Sequence, residues 1–134
     1  SLYALFNGMP TVQELDLTEF KLCGEENIAY MFNCCIDLQK VYFGDFDTSA
    51  VTNMQGLFYG CSALREIDLS GWNVQNVQNA KSIFGYCTAL QKVDLTGWHL
   101  KSKKAVLDLF KRCDSLQEVK GIGIPVAELR DKTE

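Results

Sequence analysis

Hydrophobic residues recur along this chain at a constant step of 26 residues. The step is clearest in four cysteines: Cys35, Cys61, Cys87 and Cys113. A leucine lies three residues after each of them, at Leu38, Leu64, Leu90 and Leu116. Two aromatic series keep the same step: Phe6, Phe32, Phe58, Phe84 and Phe110, and Phe20, Phe46, Trp72 and Trp98. A fixed period of this length indicates a repeat architecture, in which each unit packs against its neighbours.

Each period contains a short pattern that is typical of a β-strand. In the segment LREIDL, Leu64, Ile67 and Leu69 end in the alternation of a half-buried strand. Equivalent segments predict strands near residues 12–17, 38–43, 64–69, 90–95 and 116–120.

Each period also contains a helix-like pattern. Met54, Leu57, Phe58 and Cys61 are spaced i, i+3, i+4 and i+7, which would place them on one face of a helix. The same spacing predicts helices near residues 2–9, 27–35, 53–61, 79–87 and 104–113. Three of them are preceded by an asparagine that we expect to cap the helix or to form a ladder between units: Asn27, Asn53 and Asn79.

These elements predict an α/β fold, a right-handed leucine-rich-repeat solenoid of 26-residue strand-plus-helix units with one parallel sheet. Residues 1–134 are interpreted as a single domain. Its parts are a partial first unit (1–11), four units (12–37, 38–63, 64–89 and 90–115) and a C-terminal strand and tail (116–134). Since the chain starts at Ser1 with no signal peptide and an incomplete unit, we expect it to be cut from a longer array.

Composition and charge narrow the class of protein. The chain is 47% hydrophobic and 22% charged, which is ordinary for a folded domain. Its net charge of −4, with the two signs mixed, argues against nucleic acid as a partner. No apolar run is long enough to cross a bilayer, so we expect no membrane insertion by this segment.

The segments LQKVYFGDFDTSAVTNMQGLFYGC and LREIDLSGWNVQNVQNAKSIFGYC resemble the BspA-type leucine-rich repeat, also described as a Mycoplasma-lipoprotein-like repeat of unknown function. Residues 46–54 carry the most specific part, and the resemblance covers residues 2 to 120. It implies a bacterial, or less often protist, surface or secreted protein whose repeats mediate adhesion, including adhesion to extracellular-matrix proteins. Residues 21–28 and 99–106 depart from the repeat motif.

Two rows of side chains are expected to face outward from the sheet, because equivalent residues of successive strands become neighbours. The first row alternates in charge: Glu14, Lys40, Glu66, Lys92 and Glu118. Each charge is expected to lie between two opposite charges, so the row would neutralise itself. Exposed ion pairs contribute only about 0 to 1 kcal/mol each, and we interpret the row mainly as a device that fixes strand register.

The second row consists of Asp16, Tyr42, Asp68, Asp94 and Lys120. Asp68 and Asp94 should be like-charged neighbours, which is unfavourable unless a ligand uses them or lysines of the first row neutralise them. Four members are therefore the candidate ligand-binding residues: Tyr42, Asp68, Asp94 and Lys120.

The periodic cysteines are predicted to be buried thiols. Parallel neighbours have a suitable separation for a disulfide, but their side-chain directions do not suit its dihedral angle. Zinc would need four convergent ligands, and the chain has a single histidine, His99, and no CxxC motif. Cys23 and Cys34 lie outside the periodic series and are the thiols expected to react.

Catalysis has no positive support in the sequence. His99 has no carboxylate or serine at a recognisable spacing, and no phosphate-binding loop or nucleophile elbow occurs. The aromatic row from Phe20 to Trp98 could suggest sugar stacking, but its strict recurrence favours an internal stack.

The leading hypothesis is therefore a non-enzymatic binding or adhesion module that recognises a protein or glycan, such as an extracellular-matrix protein, through its sheet face and adjacent loops. No cofactor and no metal are expected, and the cell-surface or secreted location follows from the resemblance. End-to-end self-association is a further possible contact, since cut repeat ends are exposed. The alternatives are an architectural spacer without a ligand and, with less support, a metal-dependent or enzymatic module.

Overall fold

The computed structural model describes residues 1–100 and 102–129. Five strands of three residues each form within the segments predicted to be strands: β1 (Glu14–Asp16), β2 (Lys40–Tyr42), β3 (Glu66–Asp68), β4 (Lys92–Asp94) and β5 (Glu118–Lys120). All neighbouring strands that pair do so in parallel, and partners are 26 residues apart. The predicted strand positions and their register are thus confirmed.

The prediction of one sheet is wrong for the described residues, because the strands form two sheets, β1–β2 and β3–β4–β5. A leucine follows three of the strands directly, and its N–H donates to a backbone carbonyl of the next unit. The residues are Leu17, Leu69 and Leu95, and the donor–acceptor distances are 2.7, 2.9 and 2.9 Å. Phe43 occupies the equivalent position in β2 and makes no such bond within the described residues. Its ring packs edge-to-face on Trp72, with ring centroids 5.1 Å apart, where β2 and β3 do not pair.

The predicted helices near residues 2–9, 27–35, 53–61 and 79–87 are also wrong. These stretches form consecutive tight turns, which we call the turn segments and number 2–9, 28–35, 54–61 and 80–87. In one of them, Leu57 N–H donates to Met54 C=O at 3.2 Å and Cys61 N–H donates to Phe58 C=O at 3.0 Å. The third residue of each turn, Gly56 or Gly60, has a positive φ, as a type II turn requires.

The remaining N–H groups of the turn segments donate to the next unit rather than within their own. Between residues 28–35 and 54–61, the N–H groups of Tyr30, Phe32 and Cys34 donate to carbonyls of the next turn segment at 2.8, 2.9 and 2.7 Å. Two successive turns bury positions i, i+3, i+4 and i+7 just as a helix would. The hydrophobic spacing was therefore compatible with both structures, and the bonds between units favour the turns.

The described residues contain one α-helix, α1 (Lys103–Leu107), inside the predicted segment 104–113. Ser102 caps it, since its side chain accepts a hydrogen bond from Ala105 N–H at 3.1 Å. A 3₁₀ helix follows at Val126–Leu129 and buries Leu129. No helix in these residues is long and apolar enough to cross a membrane.

A stack of phenylalanine rings forms the centre of the core. Successive ring centroids from Phe6 through Phe110 are 5.7, 5.0, 5.8 and 5.4 Å apart, with interplanar angles of 15° or less. The row of Phe46, Trp72 and Trp98 is also buried, whereas Phe20 is half-buried. Trp98 donates its indole N–H to Leu69 C=O at 2.9 Å, so this aromatic row belongs to the core as expected.

The periodic cysteines form a ladder alongside this stack. Each thiol donates to the carbonyl of the phenylalanine 29 residues earlier, at distances of 3.0 to 3.1 Å, for Cys35, Cys61, Cys87 and Cys113. All four are buried and free of disulfides, which confirms the predicted buried thiols.

The three asparagines before the turn segments form a ladder, one of the two roles predicted for them. Asn27, Asn53 and Asn79 pair as parallel bridges between successive units. Their side-chain oxygens each accept the N–H two residues later, at 3.0, 3.0 and 3.1 Å. This bond opens a tight turn where the sequence suggested a helix cap.

Candidate binding surface on the sheet

The outward side chains of the five strands line an open groove with a volume of about 710 Å³. Its walls are mostly charged and carry both signs, as in Glu66, Lys92 and Glu118. Val41, Phe43 and Ile67 contribute an apolar floor where β2 and β3 separate. The groove therefore combines a small apolar centre with charged sides, an arrangement that suits recognition of another chain.

The first outward row has the predicted order but not the predicted pairing. Glu14 is opposite Lys40, Glu66 is opposite Lys92, and Lys92 is opposite Glu118. Within the described residues, however, no ion pair joins any two members of this row; the five ion pairs that form lie elsewhere. The prediction that each charge lies between two opposite charges is confirmed for Lys92, between Glu66 and Glu118, but not for Lys40, because β2 does not pair with β3.

The aspartates of the second row each accept a backbone hydrogen bond in the turn that follows the strand. Asp16 accepts hydrogen bonds from the N–H and the hydroxyl of Thr18, at 2.9 and 2.7 Å. Asp94 accepts the same two bonds from Thr96, at 3.0 and 2.6 Å. Asp68 accepts from Ser70 N–H at 2.9 Å. All these bonds use Oδ1, so a second carboxylate oxygen of each residue remains available to a partner.

The same hydrogen bonds influence the charge state of this row. Bonding to Thr18 lowers the pKa of Asp16, with the backbone N–H contributing most. Bonding to Thr96, first through its hydroxyl, lowers the pKa of Asp94, and the positive charge of Lys120 adds to the effect. These carboxylates are therefore fully ionised at neutral pH.

Three of the four candidate ligand-binding residues come together in the groove. Asp68 lies opposite Asp94, and Asp94 lies opposite Lys120. Tyr42 lies opposite Asp16 in the other sheet and is not part of the groove lining. It is 40% exposed, and Lys40 Nζ lies over its ring at 5.0 Å from the centroid.

Several groove residues were not candidates from the sequence. Arg65, Glu66 and Lys92 line the groove together with Asp68. Glu66 and Lys92 were interpreted as register-fixing charges, since their alternation suggested mutual neutralisation. Their position in the strand alternation indicated only that they face outward, as every second residue of a strand does.

Two cysteines are exposed, Cys23 and Cys34, as expected from their place outside the periodic series. Burial raises the pKa of Cys113 to about 12 and also raises the pKa of Cys61 and of Cys87 well above the ordinary thiol value. In the part of the chain that the structure describes, no three side chains of the metal-ligating types are grouped to hold a metal.

A family described as "Mycoplasma protein of unknown function, DUF285" matches residues 1–121. No curated protein and no solved structure matches the chain.

Proposed function

The chain belongs to the DUF285 family of Mycoplasma proteins of unknown function, and on this premise we propose that it is a non-enzymatic binding module of a bacterial cell-surface or secreted protein. In this proposal the units form a leucine-rich-repeat solenoid of the BspA type, and the sheet groove binds a protein partner. The cell-surface location follows from the resemblance to BspA-type repeats. The argument for binding rests on the groove.

The observation that supports binding most strongly is the absence of ion pairs within the alternating row. Among the described residues, Glu66, Lys92 and Glu118 are neighbours of opposite sign, yet they pair with no other side chain. Both signs are thus available to a partner along the whole groove. A surface of mixed charge selects a complementary mixed-charge surface and disfavours wrong partners, which is how polar interfaces obtain specificity.

The charge states of the groove favour binding over catalysis. A general acid or base at neutral pH needs a pKa moved towards neutrality by burial or by like charges. The pKa of Asp94, which lines the groove, is shifted the other way, because its hydrogen bonds to Thr96 stabilise the carboxylate. Fixed negative charges of this kind serve recognition rather than proton transfer.

The proposal is tested by measuring binding to a panel of purified extracellular-matrix proteins. We expect Lys40→Gln combined with Lys92→Gln to weaken a bound partner about tenfold or more, and the affinity of the unmodified protein to fall with salt. The matched control is Lys81→Gln combined with Lys111→Gln, which removes two exposed lysines away from the groove. Equal losses in the two double variants would contradict a role for the groove. Absence of any partner at high concentration would favour the spacer.

A further inference from the structure

The two sheets meet between β2 and β3, and we call the boundary between residues 39–43 and residues 65–69 the seam. In the other strand pairings, two successive N–H groups at the start of a strand donate to one carbonyl of the preceding unit. Those of β4 donate to Arg65 C=O at 2.8 and 3.2 Å. At the seam the equivalent N–H groups belong to Arg65 and Glu66, and neither donates to a backbone carbonyl in the part of the chain that the structure describes. The backbone ladder is therefore interrupted at the start of β3.

The other end of the seam is interrupted in the same way. Leu69 N–H donates to Asp94 C=O at 2.9 Å, whereas Phe43 N–H, one unit earlier, makes no such bond among the described residues. The carbonyls of Gln39 and Asp68 would accept these bonds, and they likewise have no backbone donor across the seam in the described chain. Both sides of the seam therefore present unpaired donors and acceptors, as the edge of a sheet does.

The seam also exposes the floor of the groove. The central residues of β4 and β5 are buried, at Val93 and Val119, whereas those of β2 and β3, Val41 and Ile67, are half-buried. Leu15, in the first strand of the other sheet, is half-buried as well. Val41 and Ile67 thus have the exposure of residues at a sheet edge, and both line the groove.

The charges beside the seam differ between its two ends. At the N-terminal ends of β3 and β4, Arg65 and Lys92 outnumber Glu66. At the C-terminal ends, Asp68 lies opposite Asp94. Within residues 1–100 and 102–129, neither Arg65 nor Asp68 forms an ion pair. A ligand with an acidic group, an apolar centre and a basic group in this order would complement the seam.

A polypeptide in extended conformation supplies all of these groups. Its backbone alternates donors and acceptors at the spacing of a strand, and peptides commonly bind by pairing with an unpaired sheet edge. Its side chains supply the apolar centre and both charges. A neutral oligosaccharide would cover Arg65 and Asp68 without giving them opposite charges, which is unfavourable. A nucleic acid would bring its phosphates to Asp68 and Asp94.

We infer that the partner of the groove presents an extended polypeptide segment, which lies along the seam and pairs through its backbone with Arg65, Glu66 and Phe43. This inference rests on the proposed function and specifies which part of the protein partner is recognised. The apolar centre of the segment packs on Val41 and Ile67.

The test is amide hydrogen exchange of the whole chain, measured for each residue by NMR. Without a ligand, the amides of Arg65, Glu66 and Phe43, the seam amides, should exchange at least about tenfold faster than the paired amides of Lys92 and Leu69. Equal rates in the two groups would mean that the seam is closed in solution, and the inference would be overturned.

The probe is the peptide acetyl-Glu-Thr-Val-Thr-Lys-amide, whose Glu, Val and Lys side chains share one face of an extended chain. At about 10 mM, near the weak limit of specific recognition, it should slow exchange of the seam amides about threefold or more. The amides of Lys92 and Leu69 should be unaffected. An analogue in which ester oxygens replace the N–H groups of the two threonines keeps every side chain and should bind about tenfold more weakly.

Arg65→Gln should weaken peptide binding about fivefold, because it removes the charge that faces the acidic end of the peptide. The matched control is Lys111→Gln, which removes an exposed positive charge outside the groove and should leave binding unchanged. Thermal unfolding of both variants checks that the fold is intact.

Three further outcomes would overturn the inference: unchanged seam amides at saturating peptide, equally tight binding of the ester analogue, or equal protection by maltotetraose. Protection that rises with protein concentration alone would assign the seam to a second copy of the chain and overturn it as well. A matrix protein that binds the groove without slowing the seam amides would support the proposed function and refute this inference. Protection by the peptide when no matrix protein binds would support the inference and contradict a matrix partner.

Discussion

Residues 54–61 and residues 104–113 share the same hydrophobic spacing but differ in the backbone of their first half, since α1 ends at Leu107 and residues 110–113 form a turn as residues 58–61 do. In the first segment, alternate N–H groups donate to the next unit, as Gly56 does to Lys81 C=O at 2.9 Å. In the second, Asp108 N–H donates to Lys104 C=O at 2.9 Å, within α1. Both segments bury a phenylalanine and a cysteine in the same core. The difference therefore does not come from the hydrophobic pattern.

What differs is the availability of acceptors for the backbone N–H groups. Residues 54–61 have a following turn segment whose carbonyls lie alongside. At the start of residues 104–113 the N–H groups instead find acceptors in their own segment, since Val106 donates to Ser102 C=O at 3.2 Å and Asp108 to Lys104 C=O at 2.9 Å. Side chains agree with this choice, since Gly56 and Gly60 favour turns while the stretch KKAVL favours a helix.

Two matched substitutions measure how much the core of each segment contributes to stability, apart from the difference in backbone. The ring of Phe58 stacks on both sides, at 5.0 Å from Phe32 and 5.8 Å from Phe84, whereas among residues 1–100 and 102–129 Phe110 stacks on Phe84 alone, at 5.4 Å. Phe58→Ala should lower the free energy of unfolding by about 3–5 kcal/mol, and Phe110→Ala by an amount near the lower end of that range. Urea denaturation measures both. A larger loss at Phe110 would mean that the last unit, and not the middle, organises the core.

The cysteine ladder is common to both regions and predicts a loss of stability at alkaline pH. Burial raises the pKa of Cys113 to about 12 from an ordinary value of 9.0. Unfolded thiols lose their proton above about pH 9 while folded ones keep it, so the stabilisation is complete below pH 9 and is lost as pH rises towards 12. Between these two pH values, each buried thiol should lower the free energy of unfolding by about 1.4 kcal/mol per pH unit.

Urea unfolding of the parent and of Cys113→Ala is compared from about pH 8 to about pH 11. The difference between the two proteins gives the contribution of Cys113 apart from that of the tyrosines, which titrate in the same range. The variant should be less stable at pH 8 and should lose stability less steeply above pH 9. Identical slopes for the two proteins would refute the buried thiol at Cys113. A thiol reagent should modify Cys23 and Cys34 in the native protein before the other cysteines.

The predictable parts of the fold are those whose structure is determined by the sequence period alone. Strand positions and register follow from the 26-residue step, because a parallel neighbour must repeat the same residue types. The turn segments were not predictable from spacing, since hydrogen bonds between units decide them. Glycine offered a signal, because Gly56 and Gly60 fall inside a predicted helix, where glycine is unfavourable.

The candidate site was predictable to a similar extent. Asp68, Asp94 and Lys120 were identified as outward neighbours from the register, and they do lie in one groove. Tyr42 lies opposite Asp16 and does not line the groove, although Lys40 of the same strand does.

Glycine substitutions at one repeat position should have opposite effects in the two backbones. Ser82 has a φ of +57° and lies 26 residues before Asp108, whose φ is −63°. Ser82→Gly should stabilise the protein by up to about 1 kcal/mol by relieving a left-handed conformation. Asp108→Gly should destabilise it by up to about 1 kcal/mol, because glycine loses more backbone freedom at this right-handed C-cap of α1, with Asp108→Ala as the control for loss of the carboxylate. Thermal unfolding that gave both glycine variants the same sign would contradict the assigned backbones.

The smallest expected effect concerns the ion pair on α1. Lys104 Nζ lies 3.1 Å from Asp108, but the side chains are 83% and 41% exposed. Lysine precedes the acid, and the acid lies at the helix C-terminus, so both placements weaken the pair. Lys104→Ala should therefore change stability by less than about 0.5 kcal/mol. Ser102→Ala, which removes the acceptor for Ala105 N–H, should cost about 1 kcal/mol. If urea denaturation reversed this order, charge pairing rather than the supply of N–H partners would hold the last segment in its helix.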